Sequence, residues 1–140
     1  MSGSGRVLGI DFGRKRIGLA LSDSMQMVAT PLETVDGESQ KKATRRIREI
    51  LQEQDVVEIV VGLPLHMNGD VGELAEAATA FGDKLGKQVP ELTVHMWDER
   101  MTSLEAERAL QLGEAKARRK KEMRDQLAAQ LILQSWLDSR

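Results

Sequence analysis

Apolar residues recur along the chain in two rhythms, and the rhythms predict its elements. Val7 to Phe12 is a short, mostly apolar run in which Gly9 permits close backbone approach, and it predicts a buried strand. Gly13-Arg14-Lys15 predicts a turn and Ile17 to Leu21 a second strand, so the two should pair as an antiparallel hairpin. Met27 to Ala29, or slightly beyond, predicts a third strand ended by Pro31. Asp36-Gly37-Glu38-Ser39 opens a helix from about Gln40 to Gln54, with Ala43, Ile47, Ile50 and Leu51 on one stripe. Glu58 to Gly62 predicts a fourth strand, and its uninterrupted Ile59-Val60-Val61 argues for cover on both faces. Leu63 to Asp70 predicts a loop, Val71 to Leu85 a helix stopped by Gly86, and Leu92 to Trp97 a fifth strand. Thr102 with Glu105 has the capping-box pattern for a helix through Leu112. Gly113 to Lys121 predicts a mobile basic loop, and Glu122 to Leu137 the last helix.

The order is three antiparallel strands, helix, strand, helix, strand, helix, helix. Strands joined through helices favour parallel pairing, so a mixed five-stranded α/β sheet flanked by helices is expected, an order that several α/β arrangements share. A length of 140 residues suits one domain over 1–140. No apolar run is long enough to cross a bilayer and the first residues lack a signal pattern, so a cytoplasmic protein without a membrane partner is expected. The absence of Cys removes disulfides, thiolate metal sites and thiol nucleophiles.

Charge changes the picture through its distribution, since the net value is only −2. Six cations lie between Lys116 and Arg124, among them Arg118, Arg119, Lys120 and Lys121, against the single anion Glu122. Lys41, Lys42, Arg45, Arg46 and Arg48 form a second group on a predicted helix, and Arg14-Lys15-Arg16 a third at a turn. Local basic patches in a balanced chain suit a protein that meets phosphates on one side; each patch alone also fits a solvated helix face.

Candidate chemistry rests on carboxylates. Asp11 interrupts an apolar strand, where a carboxylate needs cations, strong donors or a metal, unless it simply caps the turn through Gly13. Asp98 and Glu99 follow the fifth strand, at an edge where open α/β sheets bind ligands; the plainer role is a polar loop paired with Arg100. Helical spacing sets Asp125 on one face with Ala128, Ala129, Ile132 and Trp136, so this acid continues a stripe that should lie on the sheet. Hard oxygen ligands from three such places suit Mg²⁺ or Mn²⁺, and two such ions are the apparatus of phosphodiester hydrolysis.

Four segments in order resemble the motifs of the YqgF (Ruv-X) family: Gly9 to Gly18, Val61 to Gly69, Asp98 to Ser103, and Asp125 with Ala128 to Leu133. The similarity covers nearly the whole chain; His66, Met101 and Ser103 depart from it, and none of these departures removes a carboxylate. It implies a ribonuclease H-like fold and a two-metal nuclease with Asp11, Asp98, Glu99 and Asp125 as its catalytic set. Metal binding falls to Asp11, to one member of the Asp98-Glu99 pair, which strand alternation aims to opposite faces, and to Asp125; Glu99 is preferred of the pair because its longer arm reaches back over the sheet edge. Lys15, Arg16, Arg100, Arg118, Arg119, Lys120 and Lys121 are expected to hold nucleic acid, in pre-rRNA, ribosomal precursor particles, or branched or single-stranded DNA. With four aromatics and no Tyr, base-specific stacking is not expected. A monomer suits linear RNA, whereas four-way junctions call for a homodimer with two active sites. Two other functions fit parts of the sequence. A non-catalytic ribosome-assembly or nucleic-acid-binding factor would use the same basic patches. Asp11-Phe12-Gly13 resembles the opening of actin-like ATPases, although those need two such domains.

Overall fold

A computed structural model describes residues 5–66, 68–102 and 118–140. Five strands form one sheet in the order β3-β2-β1-β4-β5. They are β1 (Arg6–Asp11), β2 (Arg16–Ser22), β3 (Ala29–Asp36), β4 (Val56–Leu63) and β5 (Thr93–Asp98). β1 pairs antiparallel with β2 and β2 with β3; β4 runs parallel to β1, and β5 parallel to β4. The carboxyl ends of β1, β4 and β5 therefore share one edge of the sheet with the start of β2.

The helices α1 (Gln40–Glu53), α2 (Glu73–Gln88) and α3 (Arg118–Asp138) cover the sheet on both faces. Alternation along β1 sorts the core. Leu8, Ile10 and Phe12 pack with α1 and α2 residues such as Ile47, Ile50, Phe81 and Leu85. Val7 joins Ala20, Val60, Ala128, Ala129, Ile132 and Leu133 on the α3 face. Asp11, two steps beyond Gly9 and four beyond Val7, thus belongs to the face that α3 covers. Gly9 is needed there: a Cβ on it would lie 2.7 Å from Leu133 Cβ and 3.1 Å from the Ala129 carbonyl. Three glutamines at helical spacing tie α3 to β3. Gln126 donates to Thr34 Oγ1, Gln130 to the Ala29 carbonyl and Gln134 to the Met27 carbonyl, while Gln134 Oε1 accepts from Ala29 N.

Three sequence expectations need correction. The third strand begins where it was expected to end, and it runs through Pro31 to Asp36. β3 is an edge strand, and the register irregularity beside Pro31 lets it pass without a ladder donor. Met27 instead belongs to a loop held by the Asp23 carboxylate, which accepts from the backbone N–H groups of Met25, Met27 and Val28. Those donors hold the Asp23 carboxyl below its usual range. Gly86 does not stop α2, which continues to Gln88 and ends before Pro90, where the ring disfavours helical backbone. The last helix starts at Arg118, so Arg118 to Lys121 are helical and not part of a loop. The expected helix from Thr102 through Leu112, and residues 113–117, lie outside the described residues.

Among the described residues no helix is long and apolar enough to cross a membrane. Arg46 of α1 ties this helix to β3: its Nε and Nη2 donate to the two oxygens of Glu33 at 2.8 and 2.9 Å. The Arg46 side chain holds the Glu33 carboxyl below its ordinary value of 4.5. A lowered folded-state pKa means stability that is present at neutral pH and lost as pH falls through that pKa. Glu33→Gln should therefore lower the unfolding free energy at pH 7 by about 1 kcal/mol or less, the pair being part-exposed. In urea titrations the gap to the parent protein should narrow as pH falls below the ordinary carboxyl value of 4.5 and close once Glu33 is protonated in the folded state as well; a gap independent of pH would contradict the assignment.

Candidate functional site

The shared edge of the sheet holds a cleft of about 370 Å³ lined by Asp11, Phe12, Gly13, Arg14, Lys15, Arg16, Pro64, Leu74, Glu99 and Asp125. Three carboxylates expected from sequence therefore reach one hollow from three separate elements. Asp11 is the last residue of β1 and is buried. Glu99 opens a 3₁₀ turn (Glu99–Met101) directly after β5. Asp125 is the eighth residue of α3, not its first turn as the sequence suggested. Two other hollows of similar size lie at the opposite edge, around Val56 and around Gly5, and neither collects these acids.

Small residues make the convergence possible. Gly18 of β2 pairs with Asp11, and a Cβ on it would lie 2.1 Å from the Asp125 carbonyl oxygen. Any side chain there would push α3, and Asp125 with it, off the sheet. Gly62 near the end of β4 does the same for Glu99: its Cβ would lie 2.8 Å from Glu99 Oε2 and 2.5 Å from Ile132 Cδ1.

Asp98 and Glu99 separate where β5 ends, because Asp98 caps the 3₁₀ turn that Glu99 opens. Glu99 turns into the cleft over Gly62, whereas Asp98 is not among the lining residues. The Asp98 carboxylate accepts from Arg100 Nε at 3.1 Å and Nη2 at 2.8 Å, and caps the turn by accepting from Arg100 N. The guanidinium holds the Asp98 carboxyl down, and Asp98 in turn raises Arg100. Arg100 also reaches the loop after β4, where Nη1 lies 3.4 Å from the position of a Cβ on Gly69. Ser135 of α3 steadies the same turn: its hydroxyl accepts from Trp97 Nε1 and donates to the Met101 carbonyl, both at 3.1 Å. Sequence reasoning missed Ser135; its place between Ile132 and Trp136 on the sheet-facing side of α3 was the available signal.

Cations divide into engaged and available. Arg16 Nε donates to Asp125 Oδ2 at 2.7 Å, an ion pair that sequence reasoning did not foresee for either residue. Arg14 and Lys15 are exposed at the mouth of the cleft. α3 starts seven residues before Asp125, so at 1.5 Å per residue its backbone leads up to roughly 10 Å along the helix beyond Asp125, through Lys121 to Arg118. Among the described residues no group of three or more His, Asp or Glu side chains already stands close enough to grip an ion. In this state Arg16 is the cation that faces Asp125.

Comparisons with known proteins agree with one another. A protein from Nocardia farcinica named "Putative pre-16S rRNA nuclease" is 44% identical over 146 residues, covering 99% of this chain and 80% of its own length. A protein of the same name from a Geobacillus species is 42% identical over 137 residues, covering 96% of this chain and 99% of its own. In structure, RuvC of Thermus thermophilus, solved in complex with a Holliday junction substrate, superposes with a TM-score of 0.63 at 18% identity, covering 96% of each chain. The yeast mitochondrial Holliday junction resolvase Ydc2 superposes with a TM-score of 0.55 at 10% identity, covering 96% of this chain and 78% of its own. These likenesses and the sheet order establish a ribonuclease H-like fold. The family model described as "RuvX: Holliday junction resolvase" matches residues 5–139, and the chain belongs to that family.

Proposed function

We propose that residues 1–140 act as a single divalent-metal-dependent nuclease domain that hydrolyses phosphodiester bonds in structured nucleic acid. Its substrates are the 5′ end of pre-16S rRNA, free or in ribosomal precursor particles, and branched DNA of the four-way-junction kind. The observation that carries the reading is the meeting of Asp11, Glu99 and Asp125 in one cleft from three separate elements.

The donor set fits the metal. It is all carboxylate oxygen, as Mg²⁺ and Mn²⁺ prefer, and the chain has no Cys to favour a softer ion. Arg16 on Asp125 marks a place where the fold already requires positive charge. Asp11, Glu99 and Asp125 would hold the metal, which when bound supplies an activated water and neutralises charge on the leaving oxygen. Arg14 and Lys15 would grip the phosphates that flank the scissile bond. Arg16, released from Asp125, would be free to join them. Asp98 acts on the chemistry indirectly, by orienting Arg100 toward the loop around Gly69. The leading turns of α3, with Arg118, Arg119, Lys120 and Lys121, would carry the strand beyond the cleft. All four aromatic residues contribute to the interior or its margin: Phe12 and Phe81 stack at 5.0 Å between sheet and α2, while Trp97 and Trp136 pack with α3. Recognition would thus run through phosphates and shape, not through stacked bases.

A non-catalytic binding factor is the second reading, favoured by two observations: Arg16 already pairs with Asp125, and among the described residues no three His, Asp or Glu side chains stand close enough to grip an ion. Two experiments separate the readings. Asp11→Asn or Asp125→Asn should lower Mn²⁺- or Mg²⁺-dependent cleavage of a pre-16S leader or a four-way junction by about 100-fold or more, since altering groups that only support ligands already costs 10- to 100-fold. Gel retention in EDTA should stay near the parent value, and a parental cleavage rate would remove that residue from the site. Arg16→Gln should tighten Mn²⁺ binding in calorimetry without nucleic acid, by up to about fivefold, because an exposed pair worth about 1 kcal/mol no longer competes for Asp125. Weaker Mn²⁺ binding would mean that Arg16 does not compete for that carboxylate.

A further inference from the structure

The cations of α1 are set where they work against the helix. Lys41 and Lys42 occupy its first turn, which contains no acid, so they face the positive end of the helix dipole. Lys41, Arg45 and Arg48 recur at steps of four and three, opposite the buried stripe of Ala43, Ile47 and Ile50, and all three are exposed. Like charges at this spacing repel along the helix. Arg46 alone meets the packing need, holding Glu33 and Glu49, with Glu53 at 3.6 Å. Lys41, Lys42, Arg45 and Arg48 form no ion pair with any described residue. A stripe of cations that repel one another and pair with no described acid is complementary in charge to a polyanion.

Gly37, just before α1, donates its N–H to the Lys15 carbonyl at 2.9 Å, and a Cβ on it would lie 2.7 Å from the Gly13 carbonyl. The start of α1 is therefore fastened to the turn that carries Arg14 and Lys15 at the mouth of the cleft. α1 covers the opposite face of the sheet from α3. The cations consequently do not sit on one side, as the sequence suggested; from the start of α1, tied to the cleft-mouth turn, they run along the second face to Arg45 and Arg48, which border the hollow around Val56 at the opposite edge together with Glu49 and Glu91.

We propose that the Lys41–Arg45–Arg48 stripe is a docking surface for a duplex arm of the same nucleic acid whose strand enters the cleft. This rests on the nuclease reading and deepens it by assigning the α1 face, which that reading leaves unused, to the duplex arm of the substrate. Continuity with the cleft and charge complementarity favour such an arm over a separate acidic protein.

The test combines Lys41→Gln, Arg45→Gln and Arg48→Gln and compares two probes, a four-way junction and a short single-stranded oligonucleotide that fills only the cleft. Three lost phosphate contacts should flatten the salt dependence of junction binding by roughly 0.9 per contact. Between 50 and 200 mM salt the variant's loss of junction affinity should then be roughly 40-fold smaller than the parent's. Binding and cleavage of the short strand should not change, and the melting temperature should stay or rise as repulsion is relieved. Equal junction affinity and salt slope in variant and parent, with the parent still cleaving, would overturn this surface alone and leave an acidic protein as its partner. A parent chain that binds neither probe would overturn it together with the nuclease reading.

Discussion

The contact between α3 and the sheet governs everything else in this molecule. It is unusually close because β1 and β2 present Gly9 and Gly18 beneath a helix that answers with Ala128 and Ala129. Ile132 and Leu133 are then wholly buried against Val7, Ala20 and Val60. At roughly 1.5–3 kcal/mol for each large apolar side chain taken from water, this burial sets the height of the helix over the strands. Asp125 shares that helix, so its distance from Asp11 is fixed by apolar packing three and more residues away. Sequence changes that thicken the interface would separate the acids even if every acid were kept.

The same interface fixes the third acid. Ile132 and Glu99 crowd Gly62 from one side, while Ser135 fastens the turn that carries Glu99. Packing and site are thus one construction on this face. Charge follows a matching division of labour. Asp98 orients Arg100 and stays outside the cleft, whereas Asp125 is neutralised by Arg16. The Arg16 pair is exchangeable because it is part-exposed, and exposed pairs are weak. A metal or a phosphate can therefore replace one partner of that pair without dismantling the fold.

Much of this was legible in the sequence, and for identifiable reasons. The runs Val7–Phe12, Ile17–Leu21 and Ile59–Val61 carried their strand character in local composition. The spacing of Asp125 with Ala128, Ala129, Ile132 and Trp136 foretold which face of the last helix meets the sheet. Alternation predicted that Asp98 and Glu99 point apart without saying which faces the cleft; the turn that begins at Glu99, directly after β5, is what carries Glu99 to the lining and leaves Asp98 outside it. What failed was information held in tertiary context. Pro31 reads locally as a strand end, and only its edge position makes it harmless. Gly86 reads as a helix stop, yet α2 continues past it to the residue before Val89. Arg118 to Lys121 read as a loop because their charge hides a helical register that contains no apolar stripe. The Arg16–Asp125 pair spans 109 positions, and nothing local in either segment marks it.

The central claim is that folding delivers Asp11, Glu99 and Asp125 to one pocket that a divalent cation can occupy. Anomalous diffraction from crystals soaked in manganese tests it most directly. Manganese density bounded by those three carboxylates is expected, with the Arg16 guanidinium withdrawn from Asp125. Density coordinated by Asp98 instead, or no density while Arg16 keeps its hold on Asp125 at saturating manganese, would contradict it.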